Sequence, residues 1–163
     1  MEENKEEGED FKYDHLIKVG IYGEGSVGKT SLLRQFTSGR FEEKAVSTIG
    51  LDFMDKDMTI QGESVKLQVW DSAGQDQYFA ISKITIKKVH GIVLVYDTTK
   101  EETYRLVRKW LDRTQQGARE DAVFFIVGNK ADLEDMRMVE THEGEQLAKE
   151  HGFGFFETSA KTG

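Results

Sequence analysis

The stretch Gly23-Glu24-Gly25-Ser26-Val27-Gly28-Lys29-Thr30 has the residue types and spacing to do chemistry. A glycine, four free positions and then Gly-Lys-Thr is a phosphate-binding loop pattern. Glycines let the backbone wrap tightly, because a Cβ would block positive φ angles and close approach. Successive N–H groups then point inward and form a nest for anionic oxygens. A following helix adds the partial positive charge of its N-terminus. Lys29 would reach the β- and γ-phosphates, and the Thr30 hydroxyl would take a Mg²⁺ position. The pattern is short enough to arise by chance, so the elements around it must decide.

Those elements suit the motif. His15-Leu16-Ile17-Lys18-Val19-Gly20-Ile21-Tyr22 reads as a strand leading into the loop. Lys29 to Ser38 reads as a helix with Leu32, Leu33 and Phe36 on its apolar face, ended by Gly39. Arg40 to Gly50 is polar and aperiodic, hence a loop. Leu51–Ile60 and Ser64–Asp71 flank Gln61-Gly62-Glu63 as a hairpin, and the alternation of Val65, Leu67 and Val69 with polar residues buries one face. Ser72 to Val89 is irregular, with a helix expected around Ile81 to Val89. Gly91–Asp97 and Ala122–Val127 are apolar runs suited to central parallel strands. Between them lies a helix carrying Tyr104, Val107, Trp110 and Leu111, with Thr99 and Glu102 as its capping box. Thr141–His151 is a further helix, stopped by Gly152, and Phe153–Thr158 a last strand, with no helix after it. The alternation predicts a three-layer α/β fold on a mostly parallel sheet of six strands, one of them antiparallel.

Composition narrows the function. The 163 residues suit one domain, spanning residues 11–163 behind an acidic, disordered tail over residues 1–10. The formal charge of −8 speaks against a nucleic-acid partner. Cysteine is absent, which excludes disulfides, thiolate metal sites and thiol catalysis. No apolar run approaches a membrane span or a signal peptide. Glu2 occupies the position that N-myristoylation requires to be glycine. His15, His90, His142 and His151 show no ligand spacing and read as surface or packing residues.

Further polar segments fall at strand ends or adjoining loops, where open α/β sheets bind ligands. They are Ser47-Thr48-Ile49-Gly50, Trp70-Asp71-Ser72-Ala73-Gly74-Gln75, Gly128-Asn129-Lys130-Ala131-Asp132 and Thr158-Ser159-Ala160-Lys161. With these in order behind the phosphate loop, the chain resembles the Ras superfamily of small GTPases from about Phe11 to Gly163. Within that superfamily it is most similar to the Rab family. Ile49-Gly50-Leu51-Asp52-Phe53, Lys66-Leu67-Gln68-Val69-Trp70 and Val95-Tyr96-Asp97-Thr98-Thr99 carry the Rab likeness.

The resemblance implies a Ras-like phosphate-loop fold and a guanine nucleotide site. Its nucleotide-binding set would be Gly23, Gly25, Ser26, Val27, Gly28, Lys29, Thr30, Ser31, Phe41, Thr48, Gly74, Asn129, Lys130, Asp132, Ser159, Ala160 and Lys161. Thr30, Thr48 and Asp71 would hold Mg²⁺, Asp71 through a water. Thr48 and the Gly74 N–H would meet the γ-phosphate, so both loops sense it. Gln75 would position water and, with Lys29, form the catalytic pair. Asp132 would accept from guanine N1–H and its amino group, a donor pair adenine lacks. Lys130 would lie along the base, Asn129 brace the loops, the Ala160 N–H meet guanine O6, and Phe41 pack on the base.

By resemblance Phe53 and Trp70 are two of three aromatics that read effectors. The third position holds Thr85, and Thr85-Ile86-Lys87-Lys88-Val89 departs from the family's form. Gly25 should leave room for a partner's arginine. The expected protein is a monomeric, cytoplasmic switch that hydrolyses GTP slowly and serves vesicle traffic. It would meet an activating protein, an exchange factor and effectors through its two loops. Membrane attachment would need a prenylated tail beyond Gly163. The alternatives are a non-hydrolysing interaction module of the same fold, argued against by Lys29, Thr48 and Gln75, and a phosphate-loop ATPase or kinase, argued against by Asp132.

Overall fold

Strand β1 (His15–Tyr22) pairs in parallel with two neighbours, and this places the loop after it at the centre of the sheet. A computed structural model describes residues 12–43, 48, 51–74 and 79–163, with residues 79–81 by their backbone. The acidic stretch 1–10 lies outside the described residues, as do Ser47, Ile49, Gly50 and Gln75.

The chain continues through α1 (Lys29–Ser38), β2 (Leu51–Ile60), β3 (Glu63–Ser72), α2 (Phe79–Ile86), β4 (Gly91–Asp97), α3 (Glu101–Arg105), α4 (Val107–Gln115), β5 (Val123–Asn129), α5 (Thr141–His151) and β6 (Gly154–Thr158). The six strands run in the order β2-β3-β1-β4-β5-β6. Only the β2–β3 pairing among them is antiparallel. This is the α/β architecture expected from the sequence. β1 passes to β3 on one side and β4 on the other, so a crevice opens at its carboxyl end.

Alternation along the inner strands divides the core. Ile21, Val69, Val95 and Val127 face α1 and its Leu33. Tyr22, Ile92, Leu94, Tyr96 and Ile126 face the opposite layer with Trp110, Leu111 and Leu147. Each fully buried aliphatic side chain contributes about 1.5–3 kcal/mol relative to exposure, enough for packing to override weak local preferences. Beyond α1 the first face stays open: Val123 and Phe156 are 55% and 58% exposed.

Several local expectations change. The hairpin turns on two residues, Gln61 and Gly62, with φ of 53° and 86°, so Glu63 opens β3. Two positive φ angles give the twist that antiparallel strands prefer. Phe36, expected on the apolar face of α1, is 41% exposed, and the Lys56 ammonium sits 4.2 Å from its ring centroid. The helix expected at 81–89 runs earlier, as α2. The helix carrying Trp110 is interrupted at Leu106, between α3 and α4.

The Thr99–Glu102 capping box does not form. Lys100 precedes α3, and Thr99 Oγ1 instead donates to Asp97 Oδ1 at 2.6 Å. A nearer carboxylate outcompetes the cap, as short polar side chains commonly bond their own surroundings. The capping box occurs at α5 instead, where the Glu143 carboxylate accepts from the Glu140 N–H at 2.8 Å.

Candidate phosphate and nucleotide site

The loop from Gly23 to Gly28 needs its glycines at two places. At Gly23, with φ of 149°, a Cβ would run into the Val95 carbonyl. At Gly28, with φ of 98°, it would strike the Asn129 amide. Ser26 holds φ of 64° with an L side chain, a conformation costing about 1–2 kcal/mol. A Cβ at Gly25 would meet nothing within 4 Å among the described residues. Gly28 caps α1 without any side-chain bond, and no acidic residue stands in the first turn. The N–H groups there are therefore free of a competing carboxylate.

Lys29 is the buried cation of the site, 6% exposed. Its Nζ donates to the Gly23 carbonyl at 3.0 Å and the Glu24 carbonyl at 2.7 Å. Burial pulls its pKa down to about 8, against the opposing charges of Asp71 and Glu24. A desolvated ammonium held by two carbonyls, each a weak partner for its charge, suits an arriving anion.

Beside it, Thr30, Thr48 and Asp71 converge. Thr30 Oγ1 donates to Asp71 Oδ2, and Thr48 Oγ1 lies 2.7 Å from Thr30 Oγ1. Asp71 is 2% exposed, and burial raises its pKa, with the Thr30 bond and Lys29 acting the other way. Its Oδ1 is buried with no hydrogen-bond partner among the described residues. An orphaned carboxylate oxygen beside two hydroxyls is a hard oxygen donor set, which fits Mg²⁺ with its remaining positions on water. Among the described residues no cluster of three or more His, Asp or Glu side chains offers a cage of another kind.

The other end of the site lies after β5 and β6. Asn129 is buried, and its Nδ2 donates to the Val27 carbonyl at 2.9 Å. Thr158 Oγ1 donates to Asn129 Oδ1 at 3.2 Å, so one amide ties three segments together. Lys130 has φ of 66°; its Nζ donates to the Ser26 carbonyl at 2.9 Å and pairs with Asp97 Oδ2 at 2.7 Å. Ser159 Oγ donates to Asp132 Oδ1 at 2.7 Å and accepts from the N–H groups of Lys161 and Thr162. Asp132 also lines a cleft of about 380 Å³, together with Ser26, Gly28, Ser31, Phe41, Asn129, Lys130, Ala160 and Lys161. Phe41 is 37% exposed at its rim.

The residues expected at one site thus come together, apart from Gln75, whose placement is outside the described residues. Gly74 meets the loop directly, since a Cβ there would collide with the backbone of Glu24 and Gly25. Sequence reasoning missed Glu42, Glu43 and Leu133 in the cleft lining. It also missed Asp97 as the partner of Lys130, although a carboxylate ending an apolar strand at the sheet's carboxyl edge is a readable signal.

Residues 53, 70 and 85 do not form one group. Phe53 and Trp70 pair across β2 and β3 with ring centroids 4.8 Å apart, and Phe53 is 46% exposed. Thr85 does not join them. It is 5% exposed, donates to the Ser82 carbonyl at 2.8 Å and lies 3.2 Å from the Tyr22 hydroxyl. The Tyr22 ring is wholly buried, and burial pushes its hydroxyl up to about 12, with Thr85 opposing. A small hydroxyl residue at 85 leaves room for the bulky ring at 22, so this position turns inward.

Comparison with known proteins agrees in one direction. The Ras family model matches residues 18–163. Ras-related protein Rab-10 of Diplobatis ommata is 42% identical over 149 residues, covering 91% of this chain and 74% of the relative. Ras-related protein Rab-15 of Homo sapiens is 42% identical over 151 residues, covering 93% and 71%. Ras-related protein Rab-13 of Bos taurus is 40% identical over 150 residues, covering 92% and 74%.

Proposed function

This chain belongs to the Ras family and is a Rab-like small GTPase, and from that premise we propose that it is a guanine-nucleotide switch whose slow GTP hydrolysis times a step of vesicle traffic. The observation carrying this reading is the continuity of one site. A phosphate loop with its buried lysine lies at one end, and Asp132 lines the cleft at the other.

In this reading the loop amides and Lys29 bind the polyphosphate, and Asp132 reads the base. Asn129 and Lys130 hold the base loop on the phosphate loop through the Val27 and Ser26 carbonyls. Thr30, Thr48 and Asp71 would hold Mg²⁺, which when bound offsets charge on the phosphate oxygens. Gly74 packs on the Glu24 peptide. Gln75 would orient the attacking water, and an activating protein would supply an arginine past Gly25, which carries no side chain to block it. Exchange factors and effectors would read the loops around Thr48 and Gly74, with the exposed Phe53 ring, backed by half-buried Trp70, as the aromatic surface. Among the described residues no helix is long and apolar enough to cross a membrane.

The first test is to extract the nucleotide that copurifies and chromatograph it. GDP or GTP supports the reading, whereas ATP or ADP overturns it in favour of a different nucleotide enzyme. Gln75→Leu supplies the second. Turnover of bound GTP, expected on the order of 10⁻⁴ to 10⁻³ s⁻¹ unassisted, should fall at least tenfold while nucleotide affinity stays within twofold. Unchanged single-turnover hydrolysis would remove Gln75 from its role.

Lys29 predicts a pH dependence. The folded, ligand-free protein loses the Lys29 proton near pH 8, whereas the unfolded chain keeps it to about 10.5. Between those values the unfolded state binds more protons, so ligand-free stability gains with rising pH. Nucleotide binding has the opposite dependence, because phosphates favour the charged ammonium. Titration of a fluorescent guanine nucleotide from pH 7 to 10 should show affinity flat to about pH 8, then falling by up to about tenfold per pH unit. A flat profile through pH 10 would show that the ammonium does not lose its charge there.

A further inference from the structure

We infer that Trp110 is a positioning residue for the phosphate loop, acting through the side chain of Glu24; the inference rests on the guanine-nucleotide reading above. Trp110 lies on α4, 86 positions along the chain from Glu24, and its Nε1 donates to Glu24 Oε1 at 2.7 Å. The indole is 1% exposed within the core layer opposite α1, and the Arg113 guanidinium lies 5.5 Å from its ring centroid. An indole N–H can only donate, so the contact has one sense and needs an acceptor such as the carboxylate.

The backbone of Glu24 is where the site's moving and fixed parts meet. Its carbonyl accepts from Lys29 Nζ at 2.7 Å. Its carbon and oxygen lie so near Gly74 that no Cβ fits between them. One peptide therefore faces the phosphate-binding ammonium, touches the segment leading to Gln75, and is anchored by its own side chain to a rigid helix. The anchor also solves an electrostatic problem. A carboxylate in a loop built for phosphates would repel them. Trp110 holds that charge against α4.

Plain core packing of Trp110 would leave a different trace, and the difference is measurable. A packing role lowers Tm and affects every ligand alike. A positioning role acts at the Lys29 end, where the β- and γ-phosphates bind, so it changes the ratio of triphosphate to diphosphate dissociation rates.

The experiment measures displacement of fluorescent GDP and of a fluorescent non-hydrolysable GTP analogue, at fixed Mg²⁺, from wild type, Trp110→Phe, Glu24→Ala and the double variant. Hydrogen bonds to a charged group are worth enough to change rates by about tenfold or more. Trp110→Phe should release the triphosphate about tenfold faster and the diphosphate about threefold faster. In the Glu24→Ala background the same Trp110→Phe change should alter either rate less than twofold, because its route to the loop is gone. If phenylalanine unfolds the protein, benzothienylalanine at position 110 keeps the ring outline and removes only the N–H, with the same expected ratio. An equal effect with and without Glu24, or an unchanged triphosphate-to-diphosphate ratio, overturns the positioning role alone. A folded wild type that binds no guanine nucleotide overturns the functional reading and this inference with it.

Discussion

Asp132→Ala is expected to weaken guanine nucleotide binding by about 10²–10⁴-fold and to remove most of the preference for guanine over adenine. In the proposed pose its carboxylate accepts two hydrogen bonds from the base. Each bond to a charged group is worth about 1.5–3 kcal/mol, so the pair sums to about 3–6 kcal/mol. Part of the carboxylate is already committed, since Ser159 Oγ donates to Oδ1 at 2.7 Å and holds the side chain at the cleft. The variant thus loses a group that is oriented before the ligand arrives, and alanine leaves guanine's donors without partners. The phosphate loop is untouched, so residual binding should be similar for GTP, ATP and ITP. Competition of these three against a fluorescent guanine nucleotide measures this. A variant that retains the wild-type order of preference would move base recognition elsewhere in the cleft.

Lys29→Met is expected to weaken nucleotide binding by about 10³-fold. The estimate follows from one ammonium against one phosphate charge at about 4 Å, worth about 4 kcal/mol at an intermediate effective dielectric. Methionine keeps much of the buried stem, so the change is chiefly one of charge. It also removes the donor to the Gly23 and Glu24 carbonyls, spaced 3.0 and 2.7 Å from Nζ. The cost of burying the ammonium, visible in its lowered pKa, offsets those bonds in the ligand-free protein. The Tm of ligand-free protein should therefore shift by only a few degrees, while the stabilisation that added GTP confers on wild type nearly disappears. Calorimetric titration and thermal melts with and without nucleotide separate the two. A large loss of Tm with undiminished affinity would make Lys29 a structural cation instead.

The two variants probe opposite ends of a site that was unequally legible. The phosphate end is local: glycine, lysine and threonine must stand at set intervals for backbone amides to wrap an anion, so the chemistry is written in eight consecutive residues. The hydrophobic runs of β4 and β5 were equally plain, because strands covered on both faces have no polar alternation. The fate of Phe36 and of the Thr99–Glu102 pair was not plain. Each met a partner elsewhere, the Lys56 ammonium for one and the Asp97 carboxylate for the other. Thr85 likewise reads as a missing surface aromatic until the Tyr22 ring is found beneath it.

By itself the sequence determined the fold class, the phosphate loop, the segments that gather around it and, through its likeness to a known family, the base they would choose. Those depend on residue type, short-range spacing and order along the chain. Tertiary structure decided which side chains meet across long separations. Asn129 reaches Val27 across 102 positions, Lys130 reaches Ser26 across 104, and Trp110 reaches Glu24 across 86. No local propensity encodes such pairs. They arise because the parallel sheet brings the carboxyl ends of β1, β4, β5 and β6 to one edge, where donors and acceptors losing water must find each other.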